Sequence, residues 1–145
     1  MLIDTHCHVV FGVDDASQEI ERSVKMLEVA AADGVKKILC TPHSLPGLKY
    51  ENDYATLTKP FEELKQAAKE RNIPIELFLG CEFFLSDHSI SWLEEHRAVT
   101  LNGSNRILVE FPWYQKVELE SSEEELLERV FELGYRVIIA HPERY

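Results

Sequence analysis

Short β-branched, apolar runs alternate along this chain with longer stretches whose apolar residues recur every three or four positions. "LIDTHCHV" near the N-terminus reads as a first strand. After it, Ile20, Val24, Leu27 and Ala31 mark one face of a 3.6-residue period, so a helix is expected, with Ser17 as N-cap and Gly34 as stop. "VKKILCT" follows as strand two. Tyr54, Leu57, Phe61, Leu64 and Ala68 again step at helical spacing. Pro60 falls inside that run and should kink or restart the helix, because proline has no N–H and crowds the preceding turn. "IPIELFLG" reads as strand three, residues 89–96 as a short helix and "RILVEF" as strand four. "SSEEELLERVFELG" opens with a Ser122/Glu125 capping box and an acidic first turn, closes on Gly134, and leads into strand five, "RVIIA".

The resulting order, βαβαβαβαβ, implies an α/β fold: parallel strands with helices packed outside, wound right-handed as in an α/β barrel or a doubly wound sheet. No internal repeat, low-complexity tract or linker interrupts it. At 145 residues, 45% of them hydrophobic, residues 1–145 are expected to form a single domain around one core.

In parallel α/β folds the loops at the carboxyl edge of the strands build the active site. The residues expected there are His6 and His8, His43 in "TPH", Glu82 in "GCE", Glu110 in "VEF" and His141 in "AHP". Each is a metal-ligand type. Taken singly, a glutamate after a strand is usually solvated and a histidine is usually a hydrogen-bonded structural residue. Together they hold four of the chain's six histidines; His88 and His96 sit in a polar helical segment and read as surface residues. Residues two apart on a strand project to one face, so His6 and His8 can meet the same ion while Cys7 points away. Imidazoles mixed with carboxylates suit Zn, Mn or Fe, and Glu82 or Glu110 has two oxygens with which to bridge a pair of ions. The loop "GVDDAS" adds Asp14 and Asp15, either as a ligand or as an acidic helix-capping turn. Arg144 is placed either to fork onto a phosphate or to pair with a surface carboxylate. Such a cluster acidifies water and polarises a phosphoryl oxygen, so hydrolysis is its natural chemistry.

Charge and cysteine usage narrow the classes. With 26 acidic and 15 basic residues, a net charge of -11 and no basic stripe, the composition argues against a nucleic-acid surface. "MLIDTHCHVV" lacks a basic leader and no 18-residue apolar stretch occurs, so neither a signal peptide nor a membrane span is expected, and a cytoplasmic protein is. Cys7, Cys40 and Cys81 stand far apart and read as reduced thiols. A cysteine-dependent phosphatase needs an arginine six positions after its thiolate; Val13, Pro46 and Asp87 stand there instead.

In their order, "DTHCHVVFGVDDAS", "TPH", "GCEFF", "VEFP" and "AHPERY" resemble the bacterial capsule-type protein tyrosine phosphatases of the PHP (polymerase and histidinol phosphatase) superfamily, and the resemblance runs over the whole chain. It implies the N-terminal part of a distorted (β/α)7 barrel, two or three divalent ions, most often Mn with Zn or Fe as alternatives, and hydrolysis of phosphotyrosine on a tyrosine kinase of capsule or exopolysaccharide synthesis. Matched by motif, His6 and His8 would hold one ion, Glu82 would bridge two, Glu110 and His141 would complete the second site, and Asp15 and His43 a third. Arg144 would hold the substrate phosphate, with Lys49 the one local cation of "HSLPGLKY" as a further contact.

The family pattern continues beyond a fifth strand to an Asp-x-His pair, and a (β/α) barrel typically takes about 250 residues. Three expectations therefore stand: a fragment, a natural truncation, or a homo-oligomer in which another copy completes the wall. Three other functions also stay open. One is a PHP phosphatase of a small phosphomonoester such as histidinol phosphate, and another a non-catalytic metal-binding or regulatory module. The third is an amidohydrolase-type metal-dependent deoxyribonuclease, which "IDTHCH" also opens but which the charge and the "AHPER" motif disfavour.

Overall fold

The fold is a computed structural model that describes residues 1–112 and 117–145. Its elements follow the expected alternation, with one difference of consequence. Strand β1 (Leu2–Cys7) leads to helix α1 (Ile20–Ala32), strand β2 (Val35–Cys40), the two-residue strand β3 (His43–Ser44) and helix α2 (Tyr54–Glu70). Strands β4 (Glu76–Leu79) and β5 (Glu82–Phe84) come next, then the short helix α3 (Ile90–Glu94), strand β6 (Arg106–Glu110), helix α4 (Glu123–Glu132) and strand β7 (Arg136–Ile139).

The expected strands two and three are thus each followed by a second, short strand, and the order βαβαβαβαβ is corrected to one in which β2–β3 and β4–β5 are consecutive. Two sheets result, β1-β2-β4 and β3-β5-β6-β7, and every pairing in both is parallel. The breaks fall at residues that cannot continue a regular ladder. Pro42 has no N–H to donate. Gly80 passes so close to Leu101 that a Cβ would lie 2.7 Å from its Cδ2. Backbone bonds carry the pairing across the breaks: Thr41 N–H to Cys7 C=O at 2.8 Å, Gly80 N–H to Cys40 C=O at 2.9 Å and Glu82 N–H to Pro42 C=O at 2.9 Å. Neighbouring strands therefore follow one another in chain order across both sheets.

Alternation along each strand separates two faces. On β6, Ile107 and Val109 face a cluster with Phe83, Leu93, Leu126 and Val130, beneath α3 and α4. On β2, Ile38 and Cys40 face Val24 and Leu27 of α1 and Phe61 and Leu64 of α2. The opposite face carries a small layer of Leu39, Leu101, Leu108 and Ala140, and it is on this face that Glu110 follows Leu108 two residues on. β1 and β7 are the outer strands, with Leu2, Ile3, Ile138 and Ile139 exposed. Among the described residues, no helix is long and apolar enough to cross a membrane.

Two local expectations are corrected. α2 does not restart at Pro60 but continues through it as one helix. A mid-helix proline costs about 3 kcal/mol, but Leu57, Phe61, Leu64 and Ala68 are all buried along one face, and burial stabilises large apolar side chains by about 1.5–3 kcal/mol each. The carbonyl that loses its partner belongs to Thr56, an exposed residue, and the Asp53/Thr56 capping box pins the first turn. Ser17 does not cap α1: the cap position is Glu19, with no side-chain bond, and the Ser17 hydroxyl donates to the Glu19 carbonyl while accepting from Ser23. The Ser122/Glu125 box is formed in both directions, at 3.2 and 2.8 Å.

Ser122→Ala should lower stability by about 1 kcal/mol, and Leu64→Ala, which empties a fully buried position, by about 2–5 kcal/mol. Urea unfolding measures both; equal midpoints for the two variants would contradict the packing described for α2.

Candidate metal centre

The second sheet brings three polar residues onto one face. Register pairs His43 with Glu82 and Glu82 with Leu108, so His43 stands beside Glu82 on the face that also carries Glu110. His6 and His8 reach the same place from the end of β1, and His141 from the turn after β7. Cys7, between the two histidines, packs on the other side against the α1/α2 cluster.

Glu82 is 1% exposed and is the hub. Its Oε2 lies 3.1 Å from His6 Nε2, 3.0 Å from His8 Nε2 and 3.3 Å from His43 Nδ1, and its Oε1 lies 2.7 Å from His141 Nε2. Glu110, fully buried, meets His43 Nδ1 at 3.0 Å and His141 Nε2 at 3.6 Å. Burial raises a carboxyl pKa, yet that of Glu82 is held far below its usual range, because hydrogen bonds from His6 and His8 and the positive charge of the imidazoles outweigh desolvation. His8 moves the other way: burial lowers its pKa, but hydrogen bonds to Asp14 and Glu82 raise it to about 9. For His43 too burial lowers the pKa, but the hydrogen bond to Glu110 and the negative charges of Glu110 and Glu82 together raise it.

Two sets of ligand atoms lie within 4.8 Å of one another and have the composition of metal sites: His6, His8 and Glu82, and His43, Glu82 and Glu110. Nitrogen and carboxylate donors in this mixture fit a divalent first-row ion, and buried carboxylates as a rule are paired or coordinate metals. Glu82 belongs to both sets.

The surrounding cavity, of about 530 Å³, is lined by His6, His8, Asp15, His43, Glu82, Glu110, His141 and Arg144, all of them expected at this edge. Asp15 stands at its rim, 70% exposed, its Oδ1 3.9 Å from His43 Nε2. Lys49 lies outside it, in an adjoining groove that shares Asp15 and Tyr50, with its ammonium 4.9 Å from the centre of the Tyr50 ring. A larger groove, about 720 Å³ between α2 and β4, holds no comparable set of donors.

Three participants, Tyr145, Leu45 and Tyr50, were not singled out by sequence, and a fourth, Asp14, was named only as one of an adjacent pair. Asp14, 3% exposed, accepts from His8 Nδ1 at 2.8 Å and from the His43 N–H at 3.1 Å. Bonding at Nδ1 leaves Nε2 of His8 as the ligand atom. The "VDD" pair marked this loop but not which aspartate turns inward. Tyr145 accepts from the Phe111 N–H at 3.0 Å and meets His141 Nδ1 at 3.3 Å. His141 itself sits in the left-handed region, φ 32° and ψ 57°, a costly conformation for a non-glycine residue that clusters at functional sites. Leu45 and Tyr50 add an aliphatic and an aromatic side chain to the cavity's lining.

A model of the family described as "Capsular polysaccharide synthesis, CpsB/CapC" matches residues 2–145. The chain belongs to the CpsB/CapC family. Tyrosine-protein phosphatase YwqE of Bacillus subtilis is 29% identical over 143 residues, 99% of this chain and 55% of that protein. Tyrosine-protein phosphatase CpsB of Streptococcus pneumoniae is 30% identical over 144 residues, covering 99% and 58%. A solved structure from work on these same two proteins, described there as unique metal-dependent tyrosine phosphatases, superposes with a TM-score of 0.85 at 29% identity, over 99% of this chain and 56% of that one. This CpsB/CapC chain thus spans little more than half the length of the relatives it matches.

The titrations give a signed prediction for the chain stripped of metal by chelation. The folded pKa of His8, raised to about 9, means that its stabilisation is complete below the ordinary value of 6.5 and is lost as pH rises through about 9. Glu82 and Asp14, both lowered, stabilise above the ordinary carboxyl range and lose that effect as pH falls. Urea midpoints should therefore fall between pH 6.5 and 9 by an amount equivalent to about 1–3 kcal/mol, and the slope should flatten in Glu82→Gln. A flat wild-type profile over this interval would refute the coupling.

Proposed function

We propose that this chain carries the N-terminal part of a metal-dependent phosphoesterase whose substrate is a phosphotyrosyl protein. The observation that supports it is the convergence of four imidazoles on the buried carboxylates of Glu82 and Glu110 at the carboxyl edge of a parallel sheet. Family membership and the names of the relatives point the same way.

In this reading His6, His8 and Glu82 would hold one ion, Glu82, Glu110 and His141 a second, and Asp15 and His43 a third. When bound, such ions acidify water and polarise a phosphoryl oxygen, the chemistry that hydrolyses a phosphomonoester. Mn is the expected metal, and Zn and Fe suit the same donors. The chain's own residues do the rest. Asp14 and Tyr145 orient the imidazoles of His8 and His141 through Nδ1. Arg144, on the cavity wall, is the residue placed to fork onto a phosphate, and Leu45 and Tyr50 offer apolar surface to the ring that carries it. Lys49, one groove away, would touch the substrate outside the phosphate site.

A tyrosine kinase of capsule or exopolysaccharide synthesis is the corresponding partner, and the cytoplasm, where thiols stay reduced, the corresponding compartment for a chain whose cysteines are all free. Strand neighbours that follow chain order support a PHP-type barrel, in which residues 1–145 form one unit and the further length of the relatives would fill the wall between β7 and β1.

The test measures metal per chain and phosphotyrosine-peptide hydrolysis in one sample, with added Mn and after chelation, on this chain and on a version extended to the relatives' length. Turnover should require metal and fall by more than about 100-fold in Glu82→Gln. Arg144→Ala should lower kcat/KM about 10–100-fold, the worth of a charged hydrogen bond. Activity that survives complete metal removal would overturn the mechanism; metal uptake without turnover in both versions would favour the non-catalytic module.

A further inference from the structure

Resting on the metal-centre reading above, we propose that Asn52 is a positioning residue that builds the His43–Asp15 side of the centre in preference to the His6–His8 side. Asn52 lies between β3 and α2 and is 6% exposed. Its side-chain amide has two hydrogens and spends both on backbone carbonyls of different segments: Nδ2 donates to Val13 C=O at 2.8 Å and to His43 C=O at 2.7 Å. Val13 immediately precedes Asp14 and Asp15, so one amide ties the acidic loop to the strand that carries His43.

The fold gives this tie unusual leverage. β3 is two residues long and is an edge strand, paired only with β5. Ladder bonds from one side alone hold such a strand weakly. His43 is instead gripped at both ends of its backbone: its N–H donates to Asp14 Oδ2 at 3.1 Å and its C=O accepts from Asn52. Asn52 is itself fixed. Its C=O accepts from the Ser44 hydroxyl at 2.6 Å, its N–H donates to Tyr50 C=O at 2.9 Å, and the next residue, Asp53, caps α2. The 3.9 Å approach of Asp15 to His43 is therefore set by two ties between loop and strand, the Asp14 carboxylate and the Asn52 amide, the second anchored at a helix N-terminus. His6 and His8 stand at the end of β1 and meet Glu82, with His8 also bonded to Asp14, and no bond of Asn52 is made to either residue.

Asn52→Asp is the sharp variant, since it keeps the shape and sets acceptors where two donors faced carbonyls; Asn52→Ala removes the donors without adding charge and is read beside it should N52D not fold. The chelated chain is titrated with Mn²⁺ by calorimetry. His43→Ala and His6→Ala identify which binding class belongs to which side. Affinity of the class lost in His43→Ala should fall about 10–100-fold in both Asn52 variants, as for other groups that orient metal ligands, while the class lost in His6→Ala stays within about twofold. In the double variant N52D/H43A no further loss is expected. Ser122→Ala, destabilised far from the site, should bind like wild type, which separates positioning from general loss of stability. Unchanged binding in both Asn52 variants, or an equal fall in both classes, would overturn the inference while leaving the metal centre standing. A wild-type chain that takes up no Mn²⁺ would remove the metal-centre reading and this inference with it.

Discussion

A carboxylate buried at 1% exposure has to be paid for by its neighbours, and Glu82 is satisfied by four histidines drawn from both ends of the chain. Desolvating an isolated charge costs several kcal/mol, more than any one hydrogen bond returns. Only when β1, β3, β5 and the turn after β7 are in register is that cost met. The same contacts therefore serve as a folding constraint and as the assembly of the site: misplacing any one strand would leave a buried charge short of a partner.

The split strands follow from this demand. A ladder running straight through Pro42 and Gly80 would keep β2 and β4 regular, but a short second pairing lets the chain bend and set His43 and Glu82 side by side. The apolar layer of Leu39, Leu101, Leu108 and Ala140 lies on the same face as the polar cluster, with the helices and the large clusters on the other. One face of the sheet thus buys stability and the other hosts chemistry, as is usual where active sites gather at strand ends.

A TM-score of 0.85 at 29% identity shows how little of the sequence this arrangement requires to be specific. Apolar positions tolerate exchange when volume and pattern are kept. Buried polar positions do not, because an unmatched donor or acceptor costs its full desolvation. Asp14 and Asn52 are of this second kind: each bridges segments that the apolar pattern alone would leave loosely related.

By itself the sequence determined what depends on short-range periodicity and local chemistry. The helical spacing of Leu57, Phe61 and Leu64, the Ser122/Glu125 box and the strand-end positions of His6, His8, Glu110 and His141 were legible because each is decided within a few residues. Tertiary structure decided the rest. Pro60 stays inside a helix because packing outweighs a local penalty, and Ser17 loses the cap because the helix begins beyond its reach. Which of two adjacent aspartates turns inward, and which asparagine ties that loop to a ligand strand, depends on a backbone N–H 29 positions away for Asp14 and a backbone carbonyl 39 positions away for Asn52. No local pattern encodes such a pairing, because both partners are ordinary loop residues until the sheet brings them within hydrogen-bonding distance.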